Sequence, residues 1–378
     1  MKQEKRKVLY IVPTYFRARE TLFIELSKKF DIKFIEVAYF ERHGTPSDKF
    51  KTAVHSECWQ LHGFKFRKGL KIREYFIMHW KIFRELQKGN YSAVISSTAF
   101  PVYADMVWFW QPFFRYKLLF VNEVWDPPKG ILGKIHHWWV RIMMKRAAGI
   151  LSRGKMSSKY LQENMSVSSG KIKRWPLLCE APVLCDEELE CERIFAECKN
   201  SVKFLYMGRF LREKGLFELL DSFEKLQKKY SNISLFLVGG NGKEEILLKE
   251  RAEKIINCHV ISWVAPKFKQ KIYQACDVFV LPSYYDGYST ATLEAASCKL
   301  PVIITNQTGC WPDILQGDQN GSLIEAKSQD AIYNAMERWL LYSEAERKER
   351  GMISFEIFSN LSDPAIHCNS LNDILEAK

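Results

Sequence analysis

The sequence predicts an α/β chain of two doubly wound domains, and three observations carry that prediction. Short apolar runs alternate with helical stretches along the chain, a pattern that requires parallel sheets with both faces covered. The alternation breaks once, around residues 175–200, and then restarts. The 378 residues suffice for two full cores.

In the first half the expected strands are residues 8–13, 33–38, 93–96, 118–122 and 149–152. Helical apolar spacing covers 17–29, 72–88 and 134–147 between them. The interruption carries Pro176, Pro182 and the acidic run CDEELECER, which read as an inter-domain connection with a short helix. The second half alternates more regularly. VKFLYMG precedes a helix over 215–230, ISLFLVGG one over 243–256, and HVISWV one over 266–276. DVFVLPS, a helix over 289–297 and PVIIT complete the series, and residues 328–357 read as helical and charged. No repeat of fixed period and no low-complexity segment is present.

Composition narrows the class. Apolar residues make up 47% and charged residues 26%, as in ordinary globular proteins. The ten cysteines are scattered. Cys179, Cys185, Cys191 and Cys198 cluster without zinc-ligand spacing, so free thiols in a reducing compartment are expected. The apolar run over 8–13 is too short for a signal peptide and reads as a first strand. The stretch over 102–121 is broken by Asp105, Arg115 and Lys117, so no transmembrane helix is expected. The formal charge of +12 is uneven: residues 1–180 carry 33 Lys+Arg against 15 Asp+Glu. A basic half of that kind suits an anionic partner, such as phospholipid, a polyprenyl diphosphate or nucleic acid. A generally basic soluble surface would give the same count. The half lacks a nucleic-acid-binding motif.

The chemistry concentrates in the second half. LPSYYDGYSTATLE places Asp286 and Glu294 eight positions apart around Gly287, Tyr288 and Ser289. A strand feeds this turn and a helix leaves it at Thr290, which is where open α/β sheets bind ligands. Free N–H groups at a helix start suit a phosphate, and carboxylates suit sugar hydroxyls. GRFLREKG sets Gly208, Arg209 and Lys214 at another strand end. A guanidinium can fork onto diphosphate oxygens, while an ammonium acts as a point charge. VGGNG supplies Gly239, Gly240 and Gly242, which permit close backbone approach to a ligand. Each element alone also fits a plain strand-to-helix turn, and their order within one domain is what narrows the reading.

In that order the motifs resemble the retaining GT-B glycosyltransferases of family 4, the glycosyl transferases group 1. The likeness is specific over residues 202–325, while earlier residues share only the general layout. It implies a GT-B fold, two doubly wound Rossmann-like domains facing across a cleft. Residues 1–178 would bind acceptor, joined by a C-terminal helix over 356–378; residues 179–200 would link; residues 201–355 would bind the nucleotide sugar. The resemblance implies that Arg209 and Lys214 hold the donor diphosphate and Glu294 the ribose hydroxyls. Asp286 would sit against the transferred sugar and Val264 near the base. Gly208, Gly240, Gly287 and the backbone N–H groups at Tyr288, Ser289 and Thr290 would approach the donor.

Departures from the family pattern stand at Asp286 in place of glutamate, Tyr288-Ser289 in place of Phe-Gly, and Trp263 in place of glycine. The first strand also lacks the glycine-rich loop of many relatives, so Tyr15, Arg17 or Arg19 would fill that space. Glu123, at a strand end, is the further acceptor candidate, although a carboxylate there also suits a salt bridge. No Asp-x-Asp occurs, so neither a metal nor another cofactor is required.

The implied activity is retaining transfer of a sugar from a nucleotide-diphosphate donor to a glycan or polyprenyl-diphosphate-linked acceptor, in cell-surface polysaccharide synthesis. The implied location is cytoplasmic, peripheral on an anionic membrane face. The runs FKFRKGLKIREYFIMHWKIF and KIHHWWVRIMMKR mix bases with aromatics, as interfacial helices and sheet-packed helices both do. The alternatives are a sugar-nucleotide epimerase of GT-B fold and a non-catalytic basic binding protein.

Overall fold

The computed structural model describes residues 5–377 apart from 13–19, 39–45, 61–71, 98–100, 129, 180, 183–186 and 188–191. The chain divides into two compact units, Met1–Leu178 with Asp363–Lys378, and Cys179–Ser362.

The first unit runs β1 (Lys7–Val12), α1 (Glu20–Lys29), β2 (Asp31–Ala38), α2 (Asp48–Ala53), β3 (His55–Gln60) and α3 (Ile72–Gly89). It continues with β4 (Ala93–Ser97), α4 (Pro101–Phe114), β5 (Lys117–Asn122), α5 (Gly130–Arg146), β6 (Gly149–Ser152), α6 (Lys155–Glu163) and β7 (Ile172–Arg174). Its seven strands are parallel, in the order β3-β2-β1-β4-β5-β6-β7. β1, β5 and β6 are apolar nearly throughout and buried, as central parallel strands must be. One face packs α3, α4 and α5 through Met78, Ile82, Val107 and Met143. The other packs α1 through Leu22, Phe23 and Leu26.

The second unit runs α7 (Glu192–Glu197), β8 (Val202–Arg209), α8 (Leu216–Gln227), β9 (Ile233–Gly240), α9 (Glu245–Ala252), β10 (Cys258–Ile261) and α10 (Lys269–Gln274). Then come β11 (Val278–Leu281), α11 (Thr290–Ser297), β12 (Val302–Thr305), α12 (Trp311–Ile314), β13 (Gly321–Ile324), α13 (Gln329–Leu341) and α14 (Glu344–Leu361). The sheet is parallel, ordered β10-β9-β8-β11-β12-β13, so the winding direction reverses between β8 and β11.

Two expected helices change extent for visible reasons. The single helical run over 328–357 is two helices. Ser343 starts α14 with a capping box in which Glu346 returns a bond to the Ser343 N–H. The helix expected over 356–378 is also broken. α14 ends at Leu361, and α15 (Pro364–Glu376) begins afresh, with Asp363 accepting from the Ala365 N–H and proline in its first turn.

α15 belongs to the first unit, packing Cys368, Leu371 and Ile374 into the core that α1 covers. Lys117 Nζ donates to the Ile374 carbonyl at 2.9 Å and the Leu375 carbonyl at 3.2 Å, capping the last turn. His367 is fully buried, its ring 4.7 Å from the Trp175 ring. Its Nε2–H donates to the Pro176 carbonyl at 2.8 Å, since a carbonyl can only accept.

Burial pulls the His367 imidazole down to about 4. The unfolded chain therefore binds a proton that the folded chain refuses between about pH 6.5 and 4. Stability is full above that window and falls as pH drops through it, by roughly 3 kcal/mol from this residue. In thermal unfolding followed against pH, His367→Gln is expected to show a shallower acid fall than the wild type. Equal slopes would exclude this residue as an acid-labile point.

Candidate active site

The site grows from the parting of β8 and β11. β8 pairs with β9 along eight residue pairs, but with β11 at only two, Val278↔Phe204 and Phe279↔Leu205. Past them β8 delivers Gly208 and Arg209 to the C-terminal edge. Gly208 lies opposite Gly239 in the β8–β9 register. A Cβ on Gly239 would stand 1.9 Å from the Gly208 carbonyl oxygen, and its φ is +142°, so this approach requires glycine.

A cavity of about 380 Å³ opens at this edge. It gathers the β8 end through Arg209, the β9 end through Gly239 and Gly240, the turn after β10 through Trp263 and Val264, and Lys269 of α10. The first turn of α11 completes it with Thr290, Ala291 and Glu294. Ser289 caps α11, its Oγ accepting from the Thr292 N–H at 3.2 Å. The N–H groups of the first turn have no partner within the helix, so it is an electropositive wall.

Glu294 is nearly buried, and both its oxygens take bonds. Lys269 Nζ reaches them at 2.7 and 2.9 Å, and Tyr273 OH reaches Oε2 at 3.0 Å. Burial first, then the Glu294 charge, push the Tyr273 phenol well above its ordinary value, so it stays a donor. Arg209 is exposed and makes no ion pair with any described residue. The cavity therefore offers one compensated carboxylate, one uncompensated guanidinium and a helix start.

A second pair lies next to it in sequence. Lys214 Nζ meets Asp286 Oδ2 at 2.7 Å, with both side chains mostly buried. The backbone holds each partner in place. Gly215, at φ +69°, leaves 2.2 Å between a virtual Cβ and the Pro282 carbonyl oxygen, so the Lys214 turn lies directly against the strand that leads to Asp286. The Tyr284 N–H donates to the Glu213 carbonyl at 2.7 Å. The Asp286 N–H donates to the Gln307 carbonyl, and its own carbonyl accepts from Gly309.

Of the residues the sequence proposed, the cavity brings together Gly208, Arg209, Gly240, Val264, Thr290 and Glu294. Lys214, Asp286, Gly287, Tyr288 and Ser289 do not line it; Lys214 and Asp286 pair with each other instead. Ser289 turns its side chain into the helix cap. Glu123 stands in the first unit, paired to the buried Arg153 at 2.9 Å. Tyr15, Arg17 and Arg19 lie outside the described residues. Sequence reasoning missed Lys269 and Tyr273. Their only signal is the four-residue spacing that puts both on one face of α10. Among the described residues no cluster of three metal-ligating side chains occurs.

Residues 191–351 match the family of glycosyl transferases group 1. That is the family the motifs resemble. TuaC of Bacillus subtilis (strain 168), a glycosyltransferase assigned to teichuronic acid biosynthesis, is 35% identical over 136 residues, 36% of this chain and 32% of its own. The UDP-Gal:alpha-D-GlcNAc-diphosphoundecaprenol alpha-1,3-galactosyltransferase of Escherichia coli is 29% identical over 165 residues, 42% of this chain and 41% of its own. The chain thus spans about a third to two-fifths of the length of these curated relatives. The sucrose-phosphate synthase of Thermosynechococcus elongatus superposes with a TM-score of 0.73 over 97% of this chain and 98% of its own, at 15% identity. The fold is GT-B.

The Glu294 cluster yields a prediction. Lys269→Met leaves a nearly buried carboxylate with one donor, and is expected to destabilise the second unit by about 1–3 kcal/mol. Adding Glu294→Gln should recover most of that loss, giving a coupling of about 1 kcal/mol or more. Denaturant unfolding of the two single variants and the double variant measures it; additive effects would rule out the contact.

Proposed function

We propose that this protein is a retaining glycosyltransferase that takes a sugar from a nucleotide-diphosphate donor. The observation that carries the proposal is one cavity lined by Arg209, the α11 N-terminus, Glu294 and Trp263. Those groups match, in turn, a diphosphate, its remaining charge, a ribose diol and a base face. Trp263 is 66% exposed, so its ring is available for stacking.

Cleavage of such a donor leaves positive charge on the sugar and negative charge on the diphosphate. Arg209 and the helix start would stabilise the leaving group as that charge develops. Lys214 would add a second cation from its seat beside Asp286, and Asp286 would orient the transferred sugar. The two carboxylates do not act as a glycosidase pair in this reading, because each is held by its own lysine. No metal is assigned a role.

The acceptor we propose is a glycan or polyprenyl-diphosphate-linked glycan in polysaccharide synthesis, reached at the cytoplasmic face of a membrane. Support comes from what the relatives' names state and from the basic first half of the chain. No helix among the described residues is long and apolar enough to cross a membrane.

Thermal stabilisation by UDP-, GDP-, ADP- and TDP-sugars tests the donor site. One donor at about 100 times its dissociation constant is expected to add roughly 2.7 kcal/mol. Arg209→Ala and Glu294→Ala should each abolish that shift and the transfer while keeping the unfolding transition cooperative. EDTA should leave the shift unchanged. Turnover of donor without acceptor would point instead to an epimerase, and full activity in either variant would overturn the site.

A further inference from the structure

The described surface of the first unit carries nine exposed large apolar side chains, and all nine lie on α3, α4 and α5. Phe76 and Trp80 project from α3, Phe109 and Phe113 from α4, and Ile135 and Trp138 from α5. These three helices cover one face of the sheet, and their inner sides already bury Met78, Ile82, Val107 and Met143. Half-buried rings beneath and between them form a connected layer. His79 of α3 lies 6.1 Å from Phe109 of α4, Phe83 lies 4.8 Å from Trp110, and Trp108 lies 5.3 Å from Trp139 of α5. Single exposed apolar residues are ordinary on a soluble surface. Nine on three neighbouring helices make a patch that needs a partner.

Charge identifies the partner. Lys81, Arg84 and Lys88 are exposed on α3, and Lys134, Lys145 and Arg146 on α5. The two acids among the described side chains of these helices are turned inward. Glu85 pairs with Lys33 at 2.8 Å, and Asp105 accepts from Trp139 Nε1 at 2.7 Å. Among the described side chains of these helices the outward charge is therefore all positive. A second copy of the same face would be repelled, and nucleic acid would leave the aliphatic stripe of Ile131 and Ile135 without a use.

We infer that α3, α4 and α5 form a docking face that lies on an anionic phospholipid bilayer. Tryptophan and phenylalanine settle at the headgroup boundary, and lysine and arginine reach the phosphates around them. No helix among the described residues is long and apolar enough to cross, and in this assignment the unit rests on the surface. This deepens the proposal of a membrane-borne acceptor, but rests on the first unit alone and not on the donor cavity.

The test is co-sedimentation of the full chain with phosphatidylcholine vesicles, with and without phosphatidylglycerol. The wild type is expected to bind the anionic vesicles, more weakly at high salt, with a blue shift of tryptophan fluorescence. Two variants are compared, Trp80→Ser/Phe113→Ser/Trp138→Ser and Lys81→Glu/Arg84→Glu. Each should partition at least about tenfold less, at an unchanged thermal midpoint. Failure of the wild type to bind any vesicle, or unchanged binding by both folded variants, would overturn the assignment. So would a dimer in lipid-free sedimentation that the apolar variant converts to monomer. The nucleotide-sugar shift, measured on the same samples, reports the donor site separately, so either reading can fail alone.

Discussion

The second unit depends on where its sheet stops being a sheet. β8 keeps its ladder to β9 along its whole length but leaves β11 after Phe279↔Leu205. Parallel strands that wind to opposite sides must open a crevice at their carboxyl ends, because no helix covers the gap between them. The chain lines that crevice with short turns. Gly239 lets β9 run against the Gly208 carbonyl, and Gly215 lets the Lys214 turn press on Pro282. Gly215, Gly239 and Gly242 of this edge are therefore answers to crowding of backbone on backbone.

Electrostatics within the unit follow a simple division. Lys269 with Glu294 and Lys214 with Asp286 each cancel locally, and each lysine is held at hydrogen-bond distance. Such pairs offset part of the cost of taking a carboxylate out of water. Arg209 has no such partner among the described residues, and the α11 start adds partial positive charge to the same cavity. The cavity is in this way biased toward an anion, while its carboxylate is kept ready for a neutral hydrogen-bond donor.

Much of the architecture could be read from the residues, and the exceptions have physical causes. β9 and β6 match the apolar runs that announced them, since strands covered on both faces have no polar positions to blur their limits. β3 escaped notice because it is a sheet edge whose first residues, His55 and Ser56, face water. α4 escaped because PVYADMVWFWQPFF is apolar nearly all round and holds Pro112, which erases the helical period. In the site, glycines and the Glu294 motif announced themselves by spacing. Lys269 did not. Lys267, Lys269 and Lys271 stand at alternate positions and look like one solvated face, yet they reach Glu187, Glu294 and Glu192. Which of them turns toward the cavity is set by the phase of α10 against α11, a tertiary fact.

α15 gives the chain a temporal asymmetry. The second unit is spelled by one unbroken stretch, whereas the first needs residues from both ends of the sequence. As a ribosome releases the chain, the first sheet emerges early but lacks Leu371 and Ile374 until synthesis has passed residue 374. The site on β6 that Ile374 covers, where its Cδ1 comes within 2.5 Å of a virtual Cβ on Gly149, stands open throughout that interval. The second unit can thus close its core before the earlier-made unit does. A nascent chain would carry an unfinished apolar face that chaperones can hold until α15 arrives to cover it.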